Sequence, residues 1–231
     1  MNNLKGKYKY IFIDADDTLW DNEQYFRDAE VKFAELLSDY VEPEGVKELL
    51  WQKQEDNIPL FGYGSKTYMI GMVDAAIELC NGNMPSHIYY GIKKIIIDLA
   101  FHKLPIIEGV EETLKVLSKD YILVVATKGD LVEQTNKFRV SGLAKYFHHI
   151  EVMEHKNEQN YLELIAKHDL APEELLMIGN SVRSDIAPVV NIGGRAIYIE
   201  HEITWDHEYM ELPKSDRIIE VKELKEVLKF L

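Results

Sequence analysis

Cysteine is almost missing. The 231 residues hold one, Cys80, so no internal disulfide can form. A lone cysteine fits a reducing compartment, and its place in an apolar helical pattern reads as core rather than nucleophile. No run approaches the ~18 apolar residues of a membrane span, and the opening stretch from Met1 to Lys7 lacks the apolar segment of a secretory signal. The expectation is a cytoplasmic protein with no membrane partner. Positive charge is scarce too: 26 Lys and Arg stand against 40 Asp and Glu, a formal net charge of −14. An acidic surface repels phosphate backbones, which argues against nucleic acid. An anionic small molecule would then need a local positive centre. No internal repeat or low-complexity tract interrupts the chain.

What is present begins at Tyr10-Ile-Phe-Ile13, an apolar run that ends abruptly in Asp14, Asp16, Asp17 and Thr18. A short run rich in β-branched and aromatic residues reads as a strand buried on both faces, as in a parallel sheet. Ligands of open α/β sheets sit just beyond the carboxyl ends of such strands. Asp14 is the first residue off this strand, and Asp16 points the same way if the chain stays extended. Carboxylates this close repel one another, so the site calls for a cation, and oxygen ligands favour a hard one such as Mg²⁺. The ordinary alternative is an acidic turn after a strand, since Asp is common in turns.

After that strand the period becomes helical. Asp21 or Asn22 can cap a helix through about Leu37, and Glu42-Pro43-Glu44 starts another through Trp51. Asn57 to Ser65 reads as a loop with two glycines and aromatic residues; helices follow from Lys66 to Cys80 and from Ser86 to about Phe101. Residues 21–103 are therefore expected to form a helical insertion of about four helices, with no strand candidate. From Pro105 onward, helix and strand alternate, which argues for parallel strands with right-handed crossovers. Strands are expected at Tyr121–Ala126, His148–Val152, Leu175–Ile178 and Ala196–Ile199, with an edge strand at Asp216–Ile219 and a closing helix from Val221 to Phe230. The expected architecture is an α/β, Rossmann-like core of residues 1–20 and 104–231, carrying an inserted all-helical domain of residues 21–103.

Polar residues recur at the ends of three strands: Asp14 and Asp16, then Thr127, then Asn180 and Asp185. In a parallel sheet those ends share one edge, so residues distant in sequence converge. One acidic turn is common; three polar strand ends in order are not. Taken singly, Thr127 reads equally as a strand-end or capping residue, and Lys156 is one of 26 basic residues.

The order Asp14-Ala-Asp16-Asp17-Thr18-Leu19, strand-Thr127, Lys156, and Gly179-Asn180 through Asp185 resembles the haloacid dehalogenase superfamily over nearly the whole chain. The helical insertion stands where that family carries its cap. The resemblance implies a hydrolase of the phosphatase branch. In it Asp14 is the nucleophile that forms an aspartyl-phosphate, and Asp16 the general acid and base. It further implies that Thr127 and Lys156 bind the phosphoryl group, and that Mg²⁺ is held by Asp14, the Asp16 carbonyl and Asp185. Asn180 departs from the aspartate many relatives carry there, and can still hydrogen-bond a metal-bound water. Lys128 and Arg183 are nearby cations that either share the role of Lys156 or are solvated.

Dehalogenases of the superfamily lack an aspartate at the position of Asp16, so its presence favours phosphoryl transfer. A small phosphorylated metabolite is the expected substrate, with phosphoglycolate phosphatase-like or nucleotidase-like activity both compatible. A phosphomutase or a non-catalytic binder of phosphorylated ligands is the alternative. A signalling receiver domain would use neither a long helical insertion nor Asp16. Within the insertion, Tyr63 could stack on a ring and Lys66 could meet a second anionic group, although a plain connector explains that stretch as well. His201 to Glu208 is polar and metal-ligand-like in composition, but reads as a loop beside the site. His148 and His149 read as structural.

Overall fold

The computed structural model describes residues 3–101, 103–201 and 208–231. The chain divides into two compact units, one from the N-terminus to Glu23 together with Leu104 onward, the other Gln24–Lys103.

The first unit is a six-stranded sheet of β1 (Tyr10–Ile13), β2 (Ile122–Lys128), β3 (His149–Met153), β4 (Leu176–Gly179), β5 (Arg195–Ile199) and β6 (Ile218–Val221). Every adjacent pair is parallel, in the order β3-β2-β1-β4-β5-β6. The connections carry α5 (Val110–Leu117), α6 (Leu131–Val140), α7 (Glu158–Lys167) and α8 (Ala187–Asn191). Alternate residues of each strand face opposite layers. Ile11, Ile13, Leu123, Val125, Ile178 and Ile197 pack in one cluster with Leu114 and Val227. Phe12, Val124, Met177 and Ala196 pack in the other with Tyr161, Ile165 and Val189. Burial on both faces is why these strands read as unbroken apolar runs rather than alternating ones.

β1 is central, and this fixes the site. Ile13 pairs with Val125 on one side and Ile178 on the other. The backbone N–H of Asp14 donates to the Ile178 carbonyl at 2.9 Å. The next residues along all three strands therefore emerge at one edge.

The second unit is four helices: α1 (Glu23–Leu36), α2 (Pro43–Phe61), α3 (Ser65–Leu79) and α4 (Ser86–Ala100). Phe33, Leu37, Leu50, Met72, Ile88 and Ile92 form its buried core, which also takes in Cys80. None of the described helices is long and apolar enough to cross a membrane.

Several boundaries shift by a residue or two from the sequence expectation, and the consequential differences lie at α2, β2 and the closing segment. The stretch from Asn57 to Phe61 is helix, not loop: α2 runs on through Pro59. Asn57 anchors that last turn, its Nδ2 donating to the Lys53 carbonyl at 2.8 Å and to Asp74 of α3 at 3.0 Å. The helix stops only at Gly62, whose φ of 74° is open to glycine. β2 extends through Thr127 and Lys128, because both pair with β3 residues, Val152 and Met153. The closing segment is a strand to Val221 followed by a 3₁₀ turn over Leu224–Lys229 rather than a helix from Val221.

Candidate active site

Asp14 leaves β1 at the sheet edge and is 7% exposed. Lys156, from the turn between β3 and α7, donates to Asp14 Oδ1 at 2.5 Å and to Asp185 Oδ1 at 2.7 Å. Its side chain is 2% exposed, so this ammonium is neutralised by carboxylates and not by water. Asp185 sits in a π turn (Val182–Ile186) after β4, its Oδ2 accepting from the Ser181 N–H at 3.0 Å. A Cβ at Gly179 would lie 2.3 Å from that same oxygen, so only glycine lets Asp185 fold back against the strand end. Burial pushes the Asp14 carboxyl up to about 7, with Lys156 pulling it down and Asp185 pushing it further up. Burial opposes charge on Lys156, but Asp14 and Asp185 outweigh it and hold the ammonium above its ordinary range.

Asp16 faces different company. Trp20 Nε1 donates to its Oδ1 at 2.7 Å, Gln134 Nε2 to its Oδ2 at 2.8 Å, and Lys137 Nζ to both oxygens at 3.1 and 3.2 Å. Burial alone would raise this carboxyl, yet Lys137, Gln134 and Trp20 together hold it below the ordinary value. Lys137 is itself buried and also donates to Asn22 Oδ1 at 2.7 Å.

Asp17, the third carboxylate of the motif, does something else. It adopts a φ of 60° and accepts from the N–H groups of Asn22 (2.9 Å) and Glu23 (3.1 Å), at the start of α1. Burial raises its carboxyl to about 6 against the pull of those N–H groups and of His201. Asn22 thus holds the flanking position before α1, and Asp17 supplies the acceptor for the N–H groups there.

Thr127 is buried beside these groups, its hydroxyl accepting from Gln134 Nε2 at 3.1 Å. One amide nitrogen therefore ties Thr127 to Asp16. Lys128 donates to Ser184 Oγ at 3.2 Å and pairs with Glu208. Burial, with Lys156 nearby, lowers its ammonium to about 7, against the opposing pull of Asp185 and Asp14. Asn180 Oδ1 accepts from Thr18 Oγ1 at 3.1 Å.

The candidates Asp14, Asp16, Thr127, Lys128, Lys156, Asn180 and Asp185 thus gather at one sheet edge. Tyr63 and Lys66 belong to the other unit: Tyr63 lies in the break between α2 and α3, and Lys66 is exposed in the first turn of α3. Residues 202–207 of the polar stretch from His201 to Glu208 lie outside the described residues. At its ends, His201 Nε2 is 4.0 Å from Asp17 Oδ1 and Glu208 contacts the site. His149 packs its ring near His168, which faces Glu151 at 3.3 Å.

Contributors not anticipated include Gln134, Lys137, Trp20, Ser184 and Tyr161, whereas Glu208 belongs to the stretch expected as a loop beside the site. Tyr161 is fully buried, and burial with the nearby Asp185 and Asp14 carboxylates raises its hydroxyl well above the ordinary value. Gln134 and Lys137 carry the one legible signal: three apart, they share a helix face just after the second strand end.

Among the described residues no three His, Cys, Asp or Glu side chains cluster as a ligand set. The oxygens that a cation would meet there are instead the carboxylates of Asp14 and Asp185 and the amide of Asn180. That composition fits Mg²⁺, which takes one or two carboxylates and fills its remaining positions with water and phosphate oxygens.

A model of the haloacid dehalogenase-like hydrolases matches residues 8–193. The chain belongs to that family. It is 34% identical to a haloacid dehalogenase-like family hydrolase from Xanthomonas campestris, with a TM-score of 0.85 over 96% of this chain and 90% of that one. It is 24% identical to glyceraldehyde 3-phosphate phosphatase from Pyrococcus furiosus over 96% of this chain and 93% of the relative. It shares its fold with 2-haloacid dehalogenase from Pseudomonas syringae, at 21% identity and a TM-score of 0.63 over 96% and 97% of the two chains. Both phosphatases and dehalogenases share this haloacid dehalogenase-like scaffold, so the reaction has to be read from side chains.

Proposed function

We propose that the protein is a Mg²⁺-dependent phosphatase of small phosphomonoesters, working through an aspartyl-phosphate on Asp14. The observation that carries this reading is the second carboxylate, Asp16, held beside Asp14 by its own set of donors. Dehalogenation has no leaving alcohol to protonate and no use for it. The relative named for phosphatase activity at 24% identity supports the same direction.

Asp14 attacks phosphorus, the P–O bond to the alcohol breaks, and Asp16 delivers the proton that the alcohol takes away. Water then attacks the aspartyl-phosphate, giving its proton to Asp16 and returning Asp14 as carboxylate. Lys156 holds Asp14 in line and offsets phosphoryl charge, while Thr127 donates its hydroxyl to a phosphoryl oxygen, a direction its contact with Gln134 leaves open. Mg²⁺ held by Asp14, the Asp16 carbonyl and Asp185, with Asn180 beside it, would supply charge neutralisation for the transferring group and keep Asp14 ionised. Lys137 keeps Asp16 ionised in the free protein, which suits the second step; the first step needs a proton on Asp16, so that contact must weaken when substrate arrives.

The helical unit is assigned the role of cap, with Tyr63 and Lys66 as its substrate-facing candidates, and the cytoplasm is the setting consistent with a lone thiol. The test is release of inorganic phosphate from a panel of phosphomonoesters with Mg²⁺. Wild type should turn over a defined class of esters, and Asp14→Asn should release none. Equal activity in Asp14→Asn would remove the nucleophile assignment.

A further inference from the structure

Glu208 sits where nothing in the proposed chemistry requires an acid. Its Oε1 contacts Lys128 Nζ, and its Oε2 accepts from the hydroxyls of Ser181 and, at 2.5 Å, Ser184. One carboxylate thus collects an ammonium and two hydroxyl donors. That is the donor set used to bind an anion.

The three donors are built into the frame of the sheet. Lys128 is the last residue of β2, and Ser181 lies two residues past the end of β4. Ser181 Oγ accepts from the Ser184 N–H at 3.0 Å, which orients its own proton outward toward Glu208. Ser184 precedes Asp185, the partner of Lys156, so this cluster adjoins the phosphoryl site. Both serines are buried. The acceptor differs: Glu208 lies in the long connection between β5 and β6, outside every strand and α-helix. Donors are fixed and the acceptor is carried on a connection.

We infer that Lys128, Ser181 and Ser184 form a second anion subsite beside the phosphoryl site, that Glu208 fills it in the free protein, and that preferred substrates carry a carboxylate or second phosphate that displaces Glu208. The subsite rests on the phosphatase reading for its neighbour but not for its own geometry. Lys128 has a side chain 18% exposed, and a partly buried ammonium without an anionic partner is costly. Glu208 meets that cost in the free protein. An entering anion exchanges one carboxylate for another, and a substrate with an uncharged tail has nothing to exchange. Glu208 therefore competes with charged tails and leaves uncharged ones untouched, so neutralising it widens the preference for charge.

The experiment compares a two-carbon phosphomonoester bearing a carboxylate with the same compound bearing a carboxamide. A sugar bisphosphate and its monophosphate form a second pair. The readout is the ratio of kcat/KM within each pair, and the ratio of Kd by calorimetry on the Asp14→Asn background, where turnover is not needed. Wild type should favour the charged member of at least one pair by about tenfold or more, the scale of one charge-assisted contact. Glu208→Gln should raise that ratio severalfold, and Lys128→Met should bring it close to one. Ser184→Ala, the milder change, should lower it in part, and keeps the test open should Lys128→Met fold poorly. Equal treatment of both members by wild type, an unchanged ratio in Ser184→Ala and Lys128→Met, or a lower ratio in Glu208→Gln would overturn the subsite. Phosphate release with flat ratios would sink the subsite alone. Skewed Kd ratios with no phosphate release from any ester would sink the phosphatase reading alone.

Discussion

Asp14 and Asp16 stand two residues apart, yet one faces the pocket of Lys156 and Asp185 and the other faces α6. The first pocket puts two buried carboxylates on one ammonium, and burial leaves Asp14 near 7. The second puts one carboxylate on an ammonium, an amide and an indole, and Asp16 is held low. The first pocket is short of positive charge; the second is balanced. A cation would complete the first and has no place in the second. The division of labour proposed for Asp14 and Asp16 would follow from these different partners.

After loss of Asp14 itself, removing the proposed proton carrier should produce the largest effect on rate. Asp16→Asn is expected to cut phosphate release by about 10²–10⁴-fold, the range for general acid–base help. Lys137→Met, which frees Asp16 without removing it, should cost less than that; an equal loss would mean that Lys137 itself acts on the substrate. Steady-state kinetics on both variants sharpens or breaks the contrast.

Lys156→Met should test the first pocket through stability. It leaves Asp14 and Asp185 buried without their shared cation, a defect of about 3–5 kcal/mol. In metal-free protein, the melting temperature should fall by roughly 10 °C. Added Mg²⁺ should restore more of that loss than it adds to wild type.

The pH dependence follows the same contrast. Folded Asp14 and Asp17 titrate near 7 and 6, above the ordinary 3.8, so between about pH 4 and 7 the folded chain keeps protons that the unfolded chain has released. Their contribution to stability is therefore full below pH 4 and is lost as pH rises to 7. Metal-free Asp14→Asn should lose less stability than wild type across that window and be the more stable of the two at pH 7.5. Denaturant titrations at several pH values would read it.

The smallest effect is expected at Asp17, whose carboxylate is turned to the N–H groups at the start of α1. Asp17→Ala should cost about 1–2 kcal/mol, as for a lost cap, with kcat changed little. A large loss of kcat measured beside the melting curve would draw Asp17 into the site.

These two pockets were not equally legible in the sequence. The first is made of strand ends, and strands buried on both faces announce themselves as apolar runs followed by polar residues. Asp14 and Asp185 could be placed together from that pattern alone. Lys156 stood out only by its place in the motif order. The second pocket depends on α6, where Gln134 and Lys137 look like ordinary polar residues of a surface helix until the fold turns that face toward Trp20 and Asp16. Glu208 lies 80 residues from Lys128, with no periodicity to connect them. The helix through Pro59 escaped for a local reason: proline reads as a breaker, and the bond from Asn57 to Asp74 that holds the turn is tertiary.

The central claim is a covalent bond to Asp14, and it can be tested directly. Wild type would be quenched with acid during turnover of its best phosphomonoester, reduced with borohydride, and digested for mass spectrometry. An acyl phosphate on Asp14 is reduced to homoserine, so homoserine at position 14 is the expected result. Steady release of phosphate with Asp14 unaltered, or with the modification on Asp16 or Asp185, would contradict it.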